Sequence, residues 1–215
     1  MRLWRGMLAL VAAPLLAGCV PPGSLHGLYA SPSDVSSDSA LLGTWKRADG
    51  EDQQKWVFRK GEEGAYSLTV TVTTKGREDR SQWEARLVRV GDSRFLDLLP
   101  ALRTAQRRPD ASAFYVARLH LFVKLEAGKD GLRLRLLDPD WWEAQRKQGA
   151  VPLRTEELES GLSVITASTE EIRAFLLKAA ADPKVFGTPL TLVPTGSGPR
   201  APKKAPEAAR KPKFR

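Results

Sequence analysis

The side chain with the clearest chemical potential is the thiol of Cys19, because it is the only cysteine in the 215-residue chain. It follows a segment typical of exported proteins, in which Arg2 and Arg5 form a short cationic region and residues 7–16 form an apolar stretch. That stretch is too short to span a bilayer. An exported chain enters an oxidising compartment, where a lone thiol cannot form an intramolecular disulfide and is a liability unless it is used.

The residues Leu16, Ala17, Gly18 and Cys19 resemble the lipobox of bacterial lipoproteins, in which a leucine and two small residues precede an obligatory cysteine. The resemblance implies that residues 1–18 are a lipoprotein signal peptide and that the thiol of Cys19 receives a lipid. Two or three acyl chains, palmitate among them, would make release from a membrane negligible at about 0.8 kcal/mol per buried methylene. The alternative is an ordinary secretory signal followed by an incidental cysteine.

The residue after the cysteine bears on which membrane holds the protein. Val20 stands where an aspartate would resemble an inner-membrane retention signal of enteric bacteria. We therefore expect a cell-envelope protein whose anchor lies in the outer membrane, facing the periplasm, rather than in the inner membrane.

The net charge of +9 lies mostly at the ends of the chain. Arg2 and Arg5 leave with the signal peptide, and seven basic residues fall within residues 200–215, so the body between them is close to neutral. A nucleic-acid-binding core is therefore not indicated. The Pro-, Lys- and Ala-rich tail over residues 194–215 is predicted to be disordered. It could attract an anionic lipid or envelope polymer without specificity, or it could simply be solvated.

Other chemistry-bearing residues do not form a recognisable site. His120 is the one histidine in the predicted fold, and no serine or cysteine motif accompanies it. Asp138 and Asp140 lack the further oxygen ligands of a calcium loop, so helix capping explains them better. The sequence predicts no catalytic residue, no metal site and no cofactor. An unrecognised hydrolase stays open as a distant alternative, for which polar groups would have to converge on His120.

The elements that position these residues begin after a predicted flexible tether over residues 19–40, which is rich in Pro, Gly and Ser. Its root-mean-square span would be on the order of 25 Å. A β-rich globular domain is predicted over residues 41–193, because apolar and polar residues alternate in several short runs separated by turns. Those runs cover residues 53–60, 66–72, 81–90, 93–99, 113–125 and 132–136.

Two helices interrupt this series. The first is predicted to begin at Asp138-Pro139, and the second begins with a capping box formed by Ser168 and Glu171. The second helix has one apolar face and is expected to pack against the sheet. That face comprises Ile172, Phe175, Leu176 and Ala179. The predicted fold class is mainly β, as a barrel or a strongly curved antiparallel meander, with one or two packed helices.

The residues Gly43, Thr44 and Trp45 open the first strand and resemble the Gly-x-Trp motif that closes one end of a lipocalin barrel. The resemblance extends over about residues 41–186, as a run of about eight strands and a late helix. It implies a lipocalin-like barrel that binds an apolar or amphipathic small molecule. For Trp45 itself, an end plug is favoured over a ligand contact.

Five further residues are candidate ligand or partner contacts. Trp141 and Trp142 cannot face the same way on a helix, so one could pack inward while the other caps a groove or meets a partner. Arg103, Arg107 and Arg108 lie in one loop and could bind an anion. The alternatives are inward packing with incidental exposure for the tryptophans and a solvated loop for the arginines.

Two functions follow from this fold. The leading one is a lipid-anchored, lipocalin-like carrier of a small molecule, or an envelope accessory. The other is a structural or interaction lipoprotein with a filled barrel that contacts partners by its surface and basic tail. Six large rings favour the filled barrel and a modest cavity, opening if at all beside Trp141 and Trp142. These rings are Trp45, Trp56, Phe58, Tyr66, Trp83 and Phe95.

Overall fold

The computed structural model describes residues 20–49, 53–101, 118–159 and 161–195. The strands are β1 (Gly23–Ser24), β2 (Val35–Ser36), β3 (Gly43–Arg47), β4 (Gln53–Lys60), β5 (Tyr66–Thr74), β6 (Arg77–Val90), β7 (Ser93–Pro100), β8 (Leu121–Gly128), β9 (Gly131–Leu136), β10 (Thr155–Glu157), β11 (Ser163–Ile165) and β12 (Leu190–Pro194). The helices are α1 (Pro139–Lys147) and α2 (Thr169–Ala179).

Eight of these strands form a closed antiparallel barrel. Neighbouring strands follow the order β6, β5, β4, β3, β12, β9, β8, β7, and β7 pairs again with β6. Closure leaves no unpaired edge that could recruit another chain. The structure therefore confirms the prediction of a mainly β fold with a barrel and two helices. Strands β3 to β9 follow one another directly, whereas both helices and the short strands β10 and β11 lie between β9 and β12.

The alternation of side chains along the strands separates an inner face from an outer face. On β4 and β5, for example, Trp56 lies opposite Val70 and Phe58 lies opposite Leu68, all on the inner face. The inner faces form one apolar cluster, whose buried members are Leu41, Trp45, Phe58, Tyr66, Leu68, Val70, Ala85, Leu87, Leu96, Leu98, Val123, Leu125, Leu132, Leu134 and Leu192.

A second apolar cluster covers part of the outside of the barrel. Phe95 and Val88 lie opposite each other on the outer faces of β7 and β6, and Phe122 lies on the outer face of β8. Helix α2 packs onto these side chains through Ile172 and Leu176, among others, which confirms the sequence-based prediction for its apolar face. Burying a Leu, Ile or Phe side chain contributes about 1.5–3 kcal/mol, so this outer layer is a substantial part of the domain's stability.

The boundaries of both helices follow from local side-chain contacts. The Ser168 hydroxyl accepts a hydrogen bond from the backbone N–H of Glu171 at 3.3 Å, and the Glu171 carboxylate accepts one from the N–H of Ser168 at 2.8 Å. Helix α1 begins after Asp138, whose carboxylate accepts from the N–H of Trp141 at 2.8 Å. Both caps satisfy N–H groups that have no partner inside the helix.

The chain before the barrel, residues 20–42, is called the N-terminal segment below, and it does not behave as a tether. Strand β1 pairs with β11 in a small second sheet, and β2 pairs with the outer part of β6. Leu28 and Leu41 are buried in the outer and inner clusters, respectively. The prediction of a flexible tether over residues 19–40 and of a domain starting at residue 41 is therefore wrong for the described part, because this segment makes strand pairs and apolar contacts of its own.

No helix within the described ranges is long and apolar enough to cross a membrane. The predicted signal peptide, Cys19 and the basic tail beyond Thr195 lie outside the described residues.

Candidate functional site

The two ends of the barrel differ. The closed end carries Trp45, and the opposite end, called the cavity end below, contains a cavity of about 690 Å³ formed by the described residues. Inward-facing strand residues line it: Arg47, Gln54, Trp56, Val70, Ser81, Trp83, Leu98, Leu121, Val123, Leu134 and Leu190. Leu136 at the end of β9 also lines it, and residues beside the barrel complete it: Pro21, Leu137, Asp138, Pro139, Asp140, Gly187, Thr188 and Pro189.

Two tryptophans give the cavity much of its apolar surface. Trp56 on β4 and Trp83 on β6 both face inward, separated by the strand β5. The indole N–H of Trp83 donates to the Ser81 hydroxyl at 2.9 Å, and that of Trp56 lies 3.4 Å from the Gln54 side-chain oxygen. The polar edge of each ring thus has a local partner, and the apolar ring surface is left for a ligand.

Arg47, Asp138 and Asp140 are the charged residues that line the cavity, and Arg47 is the cation among them. Its Nε atom is buried and makes no hydrogen bond within the described residues. The carboxylate of Asp49 lies 3.7 Å from this atom, which is beyond hydrogen-bonding distance, and the Asp49 side chain is largely exposed. This Nε atom has no surface open to a ligand, but the Arg47 side chain as a whole is 30% exposed, so the rest of its guanidinium can meet an anionic or strongly polar group in the cavity.

The closed end is sealed by the N-terminal segment. The indole N–H of Trp45 donates to the backbone oxygen of Leu41 at 2.9 Å, and Trp45 is only 6% exposed. The hydroxyl of Tyr66 accepts from the N–H of Asp38 at 2.6 Å, and Arg94 donates to the Asp38 carboxylate at 2.9 Å. Burial raises the pKa of the Tyr66 hydroxyl above its ordinary value. Trp45 therefore plugs this end and does not line the cavity.

The cavity is larger than the modest one expected, but it occupies only the cavity end, because interior side chains such as Leu68, Ala85 and Leu96 are fully buried. Phe95, one of the six rings expected to fill the barrel, points outward into the second cluster. Trp56 and Trp83 lie at the cavity wall and are only partly buried. Trp141 and Trp142 do not themselves line the cavity, although the residues directly before them, Asp138, Pro139 and Asp140, do.

The helix tryptophans lie elsewhere. Trp142 is buried in the outer cluster, and Trp141 is half-buried, 6.4 Å from the ring of Phe175 between ring centres. Trp141 lines a separate surface groove of about 430 Å³ that also includes Lys178. Trp142 thus belongs to the core and Trp141 to the surface, because adjacent residues on a helix point in different directions. Arg103, Arg107 and Arg108 lie outside the described residues.

A buried Asp97–His120 pair, which the sequence did not reveal as a pair, lies on the outer face of β7 and β8. Asp97 is 2% exposed, and one of its oxygens lies 2.6 Å from Nδ1 of His120. Its other oxygen accepts a hydrogen bond from the backbone N–H of Leu28 at 2.7 Å. Asp97 stands within the apolar run from Phe95 to Leu99. Phe95 shares the outward phase of Asp97, and a large apolar side chain at an outward position is the signal that this outer face is covered.

The covering element is the N-terminal segment, held by contacts that we call the N-terminal clasp: Asp97, His120, Thr169 and Arg173 with the backbone of Gly27 and Leu28. The hydroxyl of Thr169 donates to the backbone oxygen of Gly27 at 2.9 Å, and Arg173 donates to that of Leu28 at 2.7 Å. A Cβ at Gly27 would come within 2.8 Å of an Asp97 oxygen, so only glycine permits this approach.

Ser24 also lies near His120, and the three residue types Ser, His and Asp invite comparison with a hydrolase triad. The Ser24 hydroxyl, however, donates to the backbone oxygen of His26 at 2.7 Å, and Ser24 is fully buried. Ser24 and His120 are joined instead by two backbone hydrogen bonds. A nucleophile must be oriented toward its base and be accessible to a substrate, so this arrangement fits a structural role better.

Within the part of the chain that the structure describes, His, Cys, Asp and Glu side chains form no group of three or more that could hold a metal ion. Comparison with known protein families, curated proteins and solved structures gives no match for this chain.

Proposed function

We propose that this protein is a lipid-anchored envelope protein that holds an amphipathic small molecule in its barrel. The single observation that carries the proposal is the cavity of about 690 Å³ at the cavity end. Its volume falls in the range of about 300–1,000 Å³ that is usual for ligand pockets. The filled-barrel alternative stays open, because Trp45, Phe58 and Tyr66 are buried in the interior, whereas Trp56 and Trp83 line this space.

The chemistry of the wall supports a ligand with an apolar body and one polar or anionic group. Trp56, Trp83 and Leu98 offer apolar surface, whereas Arg47 offers a partly exposed guanidinium. A ligand of about 20 heavy atoms that gained about 0.3 kcal/mol per atom would bind with about 6 kcal/mol, a Kd in the range of tens of micromolar. This is enough for a carrier that must also release its cargo.

The proposed location follows from the sequence around Cys19. The acyl chains would hold the protein on the outer membrane, facing the periplasm, and the basic tail would add an unspecific attraction to anionic lipid or envelope polymer. Helix α1 and the groove at Trp141 lie on the outside of the barrel and are available for a protein partner, as an envelope accessory would require.

Tryptophan quenching tests the cavity directly. Dibromostearate, a fatty acid whose bromines quench nearby indoles, is titrated against the unlipidated mature chain. We expect saturable quenching at about one ligand per protein, and we expect Trp83→Phe to reduce its amplitude because Trp83 lines the cavity.

A matched pair of variants shows whether the ligand occupies the barrel. Val70→Phe/Val123→Phe adds two rings to the cavity wall and should weaken binding at least about tenfold, or about 1.4 kcal/mol. Ser67→Phe/Arg133→Phe adds the same rings at exposed, outward positions and should leave binding unchanged. Equal affinity for all three proteins, or no saturable quenching of the wild type, would contradict the proposed function.

A further inference from the structure

Three sets of contacts, at different positions along the barrel axis, fix the course of the N-terminal segment. Ser24 exchanges two backbone hydrogen bonds with His120, which immediately precedes the start of β8 at the cavity end. The N–H of Leu28 is bound by Asp97 in the middle of β7. Asp38 meets Arg94 and Tyr66 at the closed end. The segment therefore descends the outside of the barrel from the cavity end to the closed end.

The start of this segment lies at the cavity itself. Pro21 is one of the residues that line the cavity, together with Leu136 and Pro139. Two peptide units separate Pro21 from Cys19, and consecutive Cα atoms lie about 3.8 Å apart. The Cα of Cys19 therefore lies within about 8 Å of the Cα of Pro21, whatever conformation the intervening residues adopt. The proposed lipid attachment point is thus beside the rim of the cavity.

This position constrains how the domain meets a bilayer. A flexible tether of about 20 residues would let the barrel tumble at a distance on the order of 25 Å from the surface. Here the free length after Cys19 is three residues, 20–22, because the clasp and the Ser24–His120 pairing hold the chain from residue 23 onward. Acyl chains on Cys19 must lie in the bilayer, so the rim beside Pro21 must lie at its surface.

We propose that the cavity end faces the membrane that anchors Cys19, and that the cavity takes its ligand, an acyl-chain amphiphile, directly from that bilayer. This inference rests on the proposed function and on acylation of Cys19. The apolar wall formed by Trp56 and Trp83 suits the acyl chain, and Arg47 suits an anionic group of such a lipid. An amphiphile that enters from the membrane need not cross water with its chain exposed, which removes a cost of about 0.8 kcal/mol per methylene.

The orientation is tested without any ligand. Single cysteines are introduced as Asp140→Cys, an exposed residue at the cavity end, and as Glu62→Cys, an exposed residue in the β4–β5 turn at the closed end. Each acylated protein is labelled with a fluorophore and placed in phosphatidylethanolamine–phosphatidylglycerol vesicles that contain nitroxide-labelled lipid. The two positions are separated by about 20 Å along the barrel.

We expect quenching at position 140 to exceed quenching at position 62 at least threefold. A 20-residue Gly/Ser insertion between Val20 and Pro21 should abolish the difference, because it restores a flexible tether without touching the clasp. Equal quenching at both positions in the wild-type sequence, stronger quenching at position 62, or an unchanged difference after the insertion would overturn the proposed orientation.

The source of the ligand is tested by loading. Vesicles that contain a phospholipid with brominated acyl chains are mixed with the acylated protein, and quenching of its tryptophans is followed with time. We expect the Gly/Ser insertion to slow loading at least about fivefold while leaving the affinity for added dibromostearate unchanged. Equal loading rates for the wild-type and the insertion protein would overturn the membrane source. Binding of dibromostearate by the Cys19→Ala chain alone would also overturn it, because the protein's own acyl chain would then fill the barrel. If neither the acylated protein nor the unlipidated chain binds dibromostearate, the proposed function itself is refuted.

Discussion

Removal of the Asp97 carboxylate is expected to be among the most damaging single changes to this domain. Asp97→Ala deletes two hydrogen bonds at once, from the N–H of Leu28 at 2.7 Å and from the ring of His120 at 2.6 Å. Hydrogen bonds to a charged group contribute about 1.5–3 kcal/mol each. Leaving the N–H of the buried Leu28 without an acceptor costs about 1–3 kcal/mol. We expect a loss of that size, a large share of the 5–15 kcal/mol that usually stabilises a domain.

Urea unfolding of the unlipidated mature chain, followed by tryptophan fluorescence, measures the total loss. Hydrogen exchange locates it, because the Leu28 amide should lose protection before the barrel strands do. The control is Asp92→Ala, at an exposed acid in the β6–β7 turn, which should change the unfolding free energy by less than about 0.5 kcal/mol. A loss below 1 kcal/mol for Asp97→Ala, or unchanged protection of Leu28, would show that the clasp does not hold the N-terminal segment.

Three further outcomes are expected. Arg47→Gln should weaken binding of dibromostearate about five- to tenfold and leave binding of the matching brominated alcohol unchanged. The control Lys46→Gln, at an exposed and outward-facing neighbour, should affect neither ligand. Equal losses for acid and alcohol in Arg47→Gln would exclude a role of the guanidinium in anion binding. Cys19→Ala should abolish metabolic labelling with a palmitate analogue, and equal labelling of both chains would rule out the proposed anchor. Deletion of residues 200–215 should reduce binding of the unlipidated chain to anionic vesicles at low salt, with the difference vanishing at high salt; no change at low salt would exclude an electrostatic contact by the tail.

Much of the barrel could be predicted from the sequence because local periodicity carries the information. The alternation around Tyr66 to Val72 sets both the strand and its inner face, and the capping box at Ser168 sets the start of α2. The closing strand β12 is different: it is not among the predicted strands, because its pairing with β3 joins distant parts of the chain. The other two features were predictable from local sequence. These features depend on residues close together in the chain.

The N-terminal segment was predicted incorrectly because its stability comes from distant contacts. A composition rich in Pro, Gly and Ser normally indicates a flexible linker, yet here Gly27 is needed for a close approach to Asp97, and Ser24 is buried against the start of β8. The partner residues lie about 70 to 145 positions away in the chain. Local composition cannot report such contacts.

The cavity was missed for a related reason. Counting large rings assumes that all of them point inward, but the register of β6 and β7 turns Phe95 outward toward helix α2. A shift of the strand register by one residue moves each side chain of the strand to the opposite face. The acid at position 97 was the available clue, because an acid is expected on the outer face of a barrel strand and Phe95 shares its phase.

The most direct measurement of the central claim is native mass spectrometry of the acylated protein extracted from the membrane of the cells that produce it. We expect a species heavier than the acylated chain by one small molecule, released on collisional activation, and we expect it to be lost in Val70→Phe/Val123→Phe but kept in Ser67→Phe/Arg133→Phe. Identical masses for the wild-type chain and the cavity-filling variant, with no released molecule, would contradict a ligand-holding barrel.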